Sequence, residues 1–238
     1  MRTVLFDCDG VLVNSEDVAH ESQGAFLASY GLNYTIEDFE KMFTGRTMTE
    51  VHAQISADYK AKFGRDLPSG FFDLMQQNYL AAEAGHLKAI DGVPDMIRDL
   101  DSLKVRFAIA SNSALANTER KLNKVGLRAH FNAHVYSKDM VALPKPAPDV
   151  YLYAMNKLGE SDPDRCIVVE DSVTGVTAGV AAGMCVLAYA GGVHRLPDHP
   201  VKLKAAGAFA VYHQMPDLAR HMYALLGVAP AGPNPSAP

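Results

Sequence analysis

The sequence predicts a doubly wound α/β fold, a parallel sheet with helices on both faces, carrying a helical insert after its first strand. Three observations predict it. Short apolar runs without polar alternation recur along the chain, which suits parallel strands covered on both faces. Helical patterns separate these runs. Between Asp17 and about Gly85 the alternation stops, and helical patterns run on without a convincing strand.

The strand candidates are Thr3–Phe6, Arg106–Ala110, Ala133–Tyr136, Cys166–Val169, Met184–Tyr189 and Ala208–Tyr212. The helices predicted between them are Val93–Leu103, Leu115–Val125, Asp149–Leu158 and Val173–Ala182, with Gly126 and Gly159 where helix stops belong. Inside the insert, Thr35 followed by Asp38 and Thr47 followed by Glu50 read as helix starts of the capping-box kind, with Gly31 and Gly64 as stops. The expected domains are a catalytic core of 1–15 and 86–228, a helical domain of 16–85 and an Ala/Pro-rich, disordered tail of 229–238.

Bulk properties exclude several classes. The 238 residues, 48% of them apolar, suffice for one good core with a small accessory domain. A net charge of −5 gives no electrostatic footprint for nucleic acid or anionic lipid. Three cysteines, Cys8, Cys166 and Cys185, are too few and odd in number for a disulfide scaffold, so they are expected to be reduced thiols near buried strands. Asp7 and Asp9 interrupt the N-terminal apolar run too early for a secretory signal. Ser172 to Val193 carries no charged residue, but its five glycines and strand-like end fit a buried helix and strand better than a membrane span. The expected setting is cytoplasmic, with no membrane or nucleic-acid partner, as a monomer or weak dimer.

The chemistry-bearing residues fall at predicted strand ends. Asp7 and Asp9 follow the first strand, where residues two apart point to one side, and Gly10 permits a tight turn. Two adjacent carboxylates repel unless they share a cation or a proton. An Asp-Gly pair is also an ordinary turn signal. Ser111 and Asn112 end the second core strand and could hold phosphate oxygens, although both types are common there. Lys145 sits among Pro144, Pro146 and Pro148, a stiff position for a fixed cation or simply a rigid turn before a helix. Glu170 and Asp171 end a further strand. With Asp7 and Asp9 they would form an anionic cluster that needs a hard divalent cation such as Mg²⁺, while Asp171 or Ser172 could also cap the next helix.

Taken in order, DCDGVLVNSE, ASNS, KPAPDVY and VVEDSVTGVTAGVAAGM make the chain from Thr3 to about Val228 resemble the haloacid dehalogenase-like hydrolases. The helical insert resembles that superfamily's four-helix cap, and the core its Rossmann-like sheet. The resemblance implies that Asp7 attacks phosphorus and becomes an aspartyl phosphate, while Asp9 acts as general acid and base. It implies a Mg²⁺ ion held by the Asp7 carboxylate, the Asp9 carbonyl and Asp171, with Glu170 direct or through water. Ser111, Asn112 and Lys145 would bind the phosphoryl group. Dehalogenases carry a non-acidic residue two after the nucleophile, so Asp9 argues against dehalogenation. Gly45 and Arg46 match the cap's specificity loop; Arg46 is otherwise a solvated charge.

The expected activity is therefore a Mg²⁺-dependent phosphatase on a small sugar or sugar-acid phosphate. The alternative is a β-phosphoglucomutase-like phosphomutase on hexose phosphates. That class carries a His where this chain has Ala19, a cap Arg where it has Met48, and a Lys before the Asn-Tyr pair that Gln77 precedes here. A non-enzymatic binder of phosphorylated metabolites is disfavoured because every acid and base is present. Asn14 replaces a common Asp without removing an acceptor.

Overall fold

In a computed structural model, residues 3–43, 46–193 and 195–229 are described. Gly45 and the tail expected to be disordered, apart from Ala229, lie outside them. The chain divides into two compact units: Met1–Asn14 with Lys88–Gly192 and Pro197–Pro238, and Ser15–Leu87 with Val193–Leu196.

The first unit is an α/β layer structure. Its strands are β1 (Thr3–Phe6), β2 (Arg106–Ser111), β3 (Val135–Ser137), β4 (Cys166–Glu170), β5 (Cys185–Tyr189) and β6 (Ala210–Tyr212). They form one sheet in the order β3-β2-β1-β4-β5-β6, every pair parallel. The doubly wound expectation holds. β1 is buried throughout, as its unbroken apolar run demands. On one face Tyr151, Val150, Val176, Leu203 and Met184 pack against Leu5, Val168 and Val186 of the sheet.

Numbered along the chain, the helices begin with α1 (Ser15–Ser29), α2 (Ile36–Phe43), α3 (Met48–Phe63) and α4 (Phe71–His86), all in the second unit. The first unit contributes α5 (Val93–Ser102), α6 (Leu115–Lys124), α7 (Asp149–Lys157), α8 (Val173–Ala181), α9 (His199–Ala205) and α10 (Met215–Leu226). Each of the four helices expected in the core is present, one residue shorter at its C-terminal end. The sequence reading missed α9 and α10. Pro200 and Pro216 in their first turns and Gly227 just past α10 are the signals that mark them. The uncharged stretch Ser172–Val193 resolves into α8 and β5, and no helix among the described residues is long and apolar enough to cross a membrane.

The helical unit closes around its own core of Leu27, Phe39, Val51, Ile55, Phe71 and Met75. Both expected helix starts are capped. Thr47 and Glu50 form a reciprocal box, and Thr35 with Asp38 does the same one helix earlier. His20 packs its ring on Phe39 at 4.5 Å between centroids. Asn14 Oδ1 accepts a hydrogen bond from the Lys88 amide at 2.8 Å, a role an amide oxygen fills as well as the carboxylate it replaces.

Candidate active site

Sheet order explains why distant carboxylates meet. β1 lies between β2 and β4, so the carboxyl ends of three strands are adjacent where the strand order reverses, the position at which open α/β sheets hold ligands. Phe6 is in register with Val169 and with Ile109, and the Asp7 amide donates to Val169 O at 3.0 Å. Asp7 therefore leaves the sheet beside Glu170, and Ser111 ends the strand on the other side. Gly10, at φ 74°, turns the chain, and a Cβ there would collide with the Asp171 carboxylate. A Cβ on Gly175 would likewise collide with the Glu170 carboxylate.

Lys145 is the hub. Its Nζ donates to Asp7 Oδ1 at 2.6 Å and to Glu170 Oε1 at 2.7 Å, and it lies 4.6 Å from the centroid of the Tyr151 ring. Burial works against the ammonium, but Asp7 and Glu170 outweigh it and hold its pKa up at about 12. Burial pushes the Asp7 carboxyl up, to about 7, with Lys145 pulling the other way. Glu170 is driven the opposite way: burial raises it, but Lys145 and its hydrogen bonds leave it below the usual carboxylate range. Those bonds come from Lys145 and Tyr151 on Oε1, and from the Asp171 amide, the Ser172 amide and the Ser172 hydroxyl on Oε2. A carboxylate offers about four lone-pair sites, so Glu170 is saturated by protein donors.

Asp7, Glu170 and Asp171 are buried and offer carboxylate oxygens within 4.8 Å of one another. Three buried carboxylates against one buried ammonium suit a hard divalent cation, which would also favour ionised Asp7.

The other predicted residues are placed as follows. Asp9 turns its carboxylate to Lys121 and Ser113, at 2.5 Å from each. Ser111 Oγ accepts from the Ser113 amide at 3.0 Å. Asn112 brackets the lysine loop: its Oδ1 accepts from the Lys145 amide at 2.8 Å, and its Nδ2 donates to the Lys145 carbonyl at 3.1 Å. Arg46 belongs to the other unit, where it is exposed and lines an open groove of about 320 Å³ with Tyr34, Lys41 and Asp58. Sequence reasoning left Lys121, Tyr151 and His199 without a role. Tyr151 stands in the first turn of α7, six residues after Lys145, and its hydroxyl donates to Glu170 Oε1 at 2.9 Å. A lysine on α6 carries no local mark of its partner. His199 shares a hydrogen bond with the Asp171 carbonyl at 2.8 Å.

A family model described as haloacid dehalogenase-like hydrolase matches residues 1–183. The chain is 36% identical over 187 residues to a bifunctional riboflavin kinase/FMN phosphatase of Arabidopsis thaliana, covering 78% of this chain and 47% of that protein. It thus spans about half of that relative. It is 29% identical over 211 residues to a phosphorylated carbohydrates phosphatase of Thermotoga maritima, covering 89% of this chain and 94% of that one. The crystal structure of a hydrolase from Deinococcus radiodurans, solved with bound phosphate and sodium, superposes with a TM-score of 0.84 at 34% identity, covering 97% of this chain and 99% of that chain.

Proposed function

Because this chain belongs to the haloacid dehalogenase-like hydrolases, we propose that it is a Mg²⁺-dependent phosphatase of a small phosphorylated sugar or sugar acid. The observation that carries the reading is the buried Lys145 held between Asp7 and Glu170, with Asp171 beside them and Asp9 two residues on. The relative from Thermotoga maritima, whose name specifies phosphorylated carbohydrates, supports the substrate class.

In this reading an Asp7 carboxylate oxygen attacks phosphorus in line. The bond from phosphorus to the ester oxygen breaks, and Asp9 gives that oxygen its proton. Asp9, now a carboxylate, takes a proton from water as the water attacks the aspartyl phosphate. The Asp7–phosphorus bond breaks and inorganic phosphate leaves. Acid–base help of this kind contributes about 10²–10⁴-fold. Lys145 offsets the charge on Asp7 and the phosphoryl oxygens. Ser111 lines the phosphoryl site, and Asn112 serves it by fixing the Lys145 loop. Mg²⁺ would be held by the Asp7 carboxylate, the Asp9 carbonyl and Asp171, with saturated Glu170 acting through water. When bound, it draws charge from the phosphoryl oxygens.

We assign substrate choice to the 16–85 region, with Gly45 and Arg46 as its determinants, and a cytoplasmic setting to the whole chain. The test is phosphate release from p-nitrophenyl phosphate with and without Mg²⁺, followed by a panel of phosphorylated sugars and sugar acids. Hydrolysis that survives metal removal, or no hydrolysis of any ester, overturns the reading. Conversion of glucose 1-phosphate to glucose 6-phosphate without phosphate release makes the protein a mutase.

A further inference from the structure

Among the described residues of the α/β unit two lysines are buried, Lys145 and Lys121. The first is explained by Asp7 and Glu170. The second is not explained by the reaction as drawn. Lys121 lies in the last turn of α6, where its neighbours Arg120 and Lys124 are exposed. A lysine on a helix ordinarily reaches water with its head group, because burying an ammonium is costly unless it is paired. Lys121 instead turns inward with Thr118 and Leu122, its side chain 8% exposed, and meets Asp9 Oδ1 at 2.5 Å. Ser113 Oγ donates to the other oxygen, Oδ2, at 2.5 Å.

Each Asp9 oxygen is therefore held by a separate donor, one from α6 and one from the turn after β2. A single contact leaves a carboxylate free to rotate. Two contacts on different oxygens fix its plane and direction, the condition under which a proton is delivered along a defined line.

We propose that Lys121 is a positioning residue for Asp9, acting with Ser113 to set where the acid–base carboxyl is presented. This rests on the phosphatase reading with Asp9 as its acid. Lys121 acts through the Asp9 carboxyl that it holds. Its effect passes through Asp9, so it depends on how much the leaving oxygen needs a proton. An alkoxide leaving group needs one; p-nitrophenolate does not.

The experiment compares kcat/KM for p-nitrophenyl phosphate with that for the best alkyl ester of the sugar-phosphate panel, in wild type, Lys121→Met, Lys121→Arg and Ser113→Ala. This ratio reports the first phosphoryl transfer alone, provided that step is irreversible. Lys121→Met is expected to lose about 10²-fold on the alkyl ester and no more than about threefold on p-nitrophenyl phosphate. Lys121→Arg, which keeps the charge, restores the alkyl ester to within about fivefold of wild type. Ser113→Ala shows the same selectivity with a loss of about tenfold, and it decides the matter alone if Lys121→Met does not fold. Equal losses on both esters in these variants, or none on either, overturn the assignment. Asp9→Asn run in parallel separates the two failures: if it too lacks selectivity, Asp9 is not the acid and the phosphatase mechanism falls first.

Discussion

The ion pairs at the strand ends of the α/β unit and those of the helical unit are built on opposite terms. Lys145 pairs with Glu170 with side chains 2% and 1% exposed. In the helical unit Lys41 pairs with Glu37 at 70% and 61% exposure, and Lys60 with Asp66 at 65% and 82%. Exposed pairs of that kind contribute about 0–1 kcal/mol. A buried pair pays a desolvation cost that its own attraction often fails to offset, so it is weak evidence of stabilisation. Its retention at the carboxyl ends of β1 and β4, surrounded by further hydrogen bonds, points to chemistry instead. The helical unit gets its stability from an aromatic and aliphatic core, in which Phe26, Tyr30 and Phe71 stack edge on within 5.2 Å.

The sharpest way to break this contrast is at Asp7. Asp7→Asn, nearly isosteric, is expected to lower turnover at least about 10⁴-fold while leaving the far-ultraviolet circular dichroism unchanged. Most activity retained would remove chemistry as the reason for the buried cluster. Next is Lys145→Ala, expected to cost about 10²–10³-fold in kcat and about 3–5 kcal/mol of stability, because Asp7 and Glu170 are left facing each other. Urea titration and steady-state kinetics read the two effects separately; a loss of stability without loss of rate would make the lysine structural.

Gly175→Ala probes the same cluster from outside. It should displace Glu170, whose carboxylate occupies the space a Cβ would take, and lower kcat about tenfold or more. An unchanged kcat would show that Glu170 positioning does not matter. In the helical unit the expected effects are smaller and of another kind. Arg46→Ala should raise KM about tenfold with kcat nearly constant on the natural ester, while a rise on p-nitrophenyl phosphate of the same size would argue against a role in substrate choice. Thr47→Ala removes a helix cap and should cost about 1 kcal/mol in denaturant titration with no kinetic effect.

Much of the fold was legible because its signals are local. β1 and β4 are short apolar runs that only a two-sided burial explains, and the capping boxes at Thr35 and Thr47 mark helix starts within four residues. α9 and α10 were missed although Pro216 and Gly227 bracket the latter; α9, at 7 residues, is too short to show a clear apolar period. The site was legible where side chains follow strand ends, as at Asp7, Ser111 and Glu170. Asn112 is expected to hold phosphate from its place at a strand end; that its amide also brackets the Lys145 backbone across 33 residues of sequence is a pairing that no local pattern encodes.

By itself the sequence determined the alternation of strand and helix, the helical interruption and the set of groups capable of phosphoryl chemistry. These follow from periodicity and residue type, which act over a few neighbours. Only the tertiary structure decided which groups meet: that parallel register sets Asp7 beside Glu170, that Glu170 is saturated by five donors, and that Lys121 turns inward to Asp9 across 112 residues. The physical reason is that the cost of burying a charge depends on the partner supplied, and the partner is chosen by the path of the chain through space.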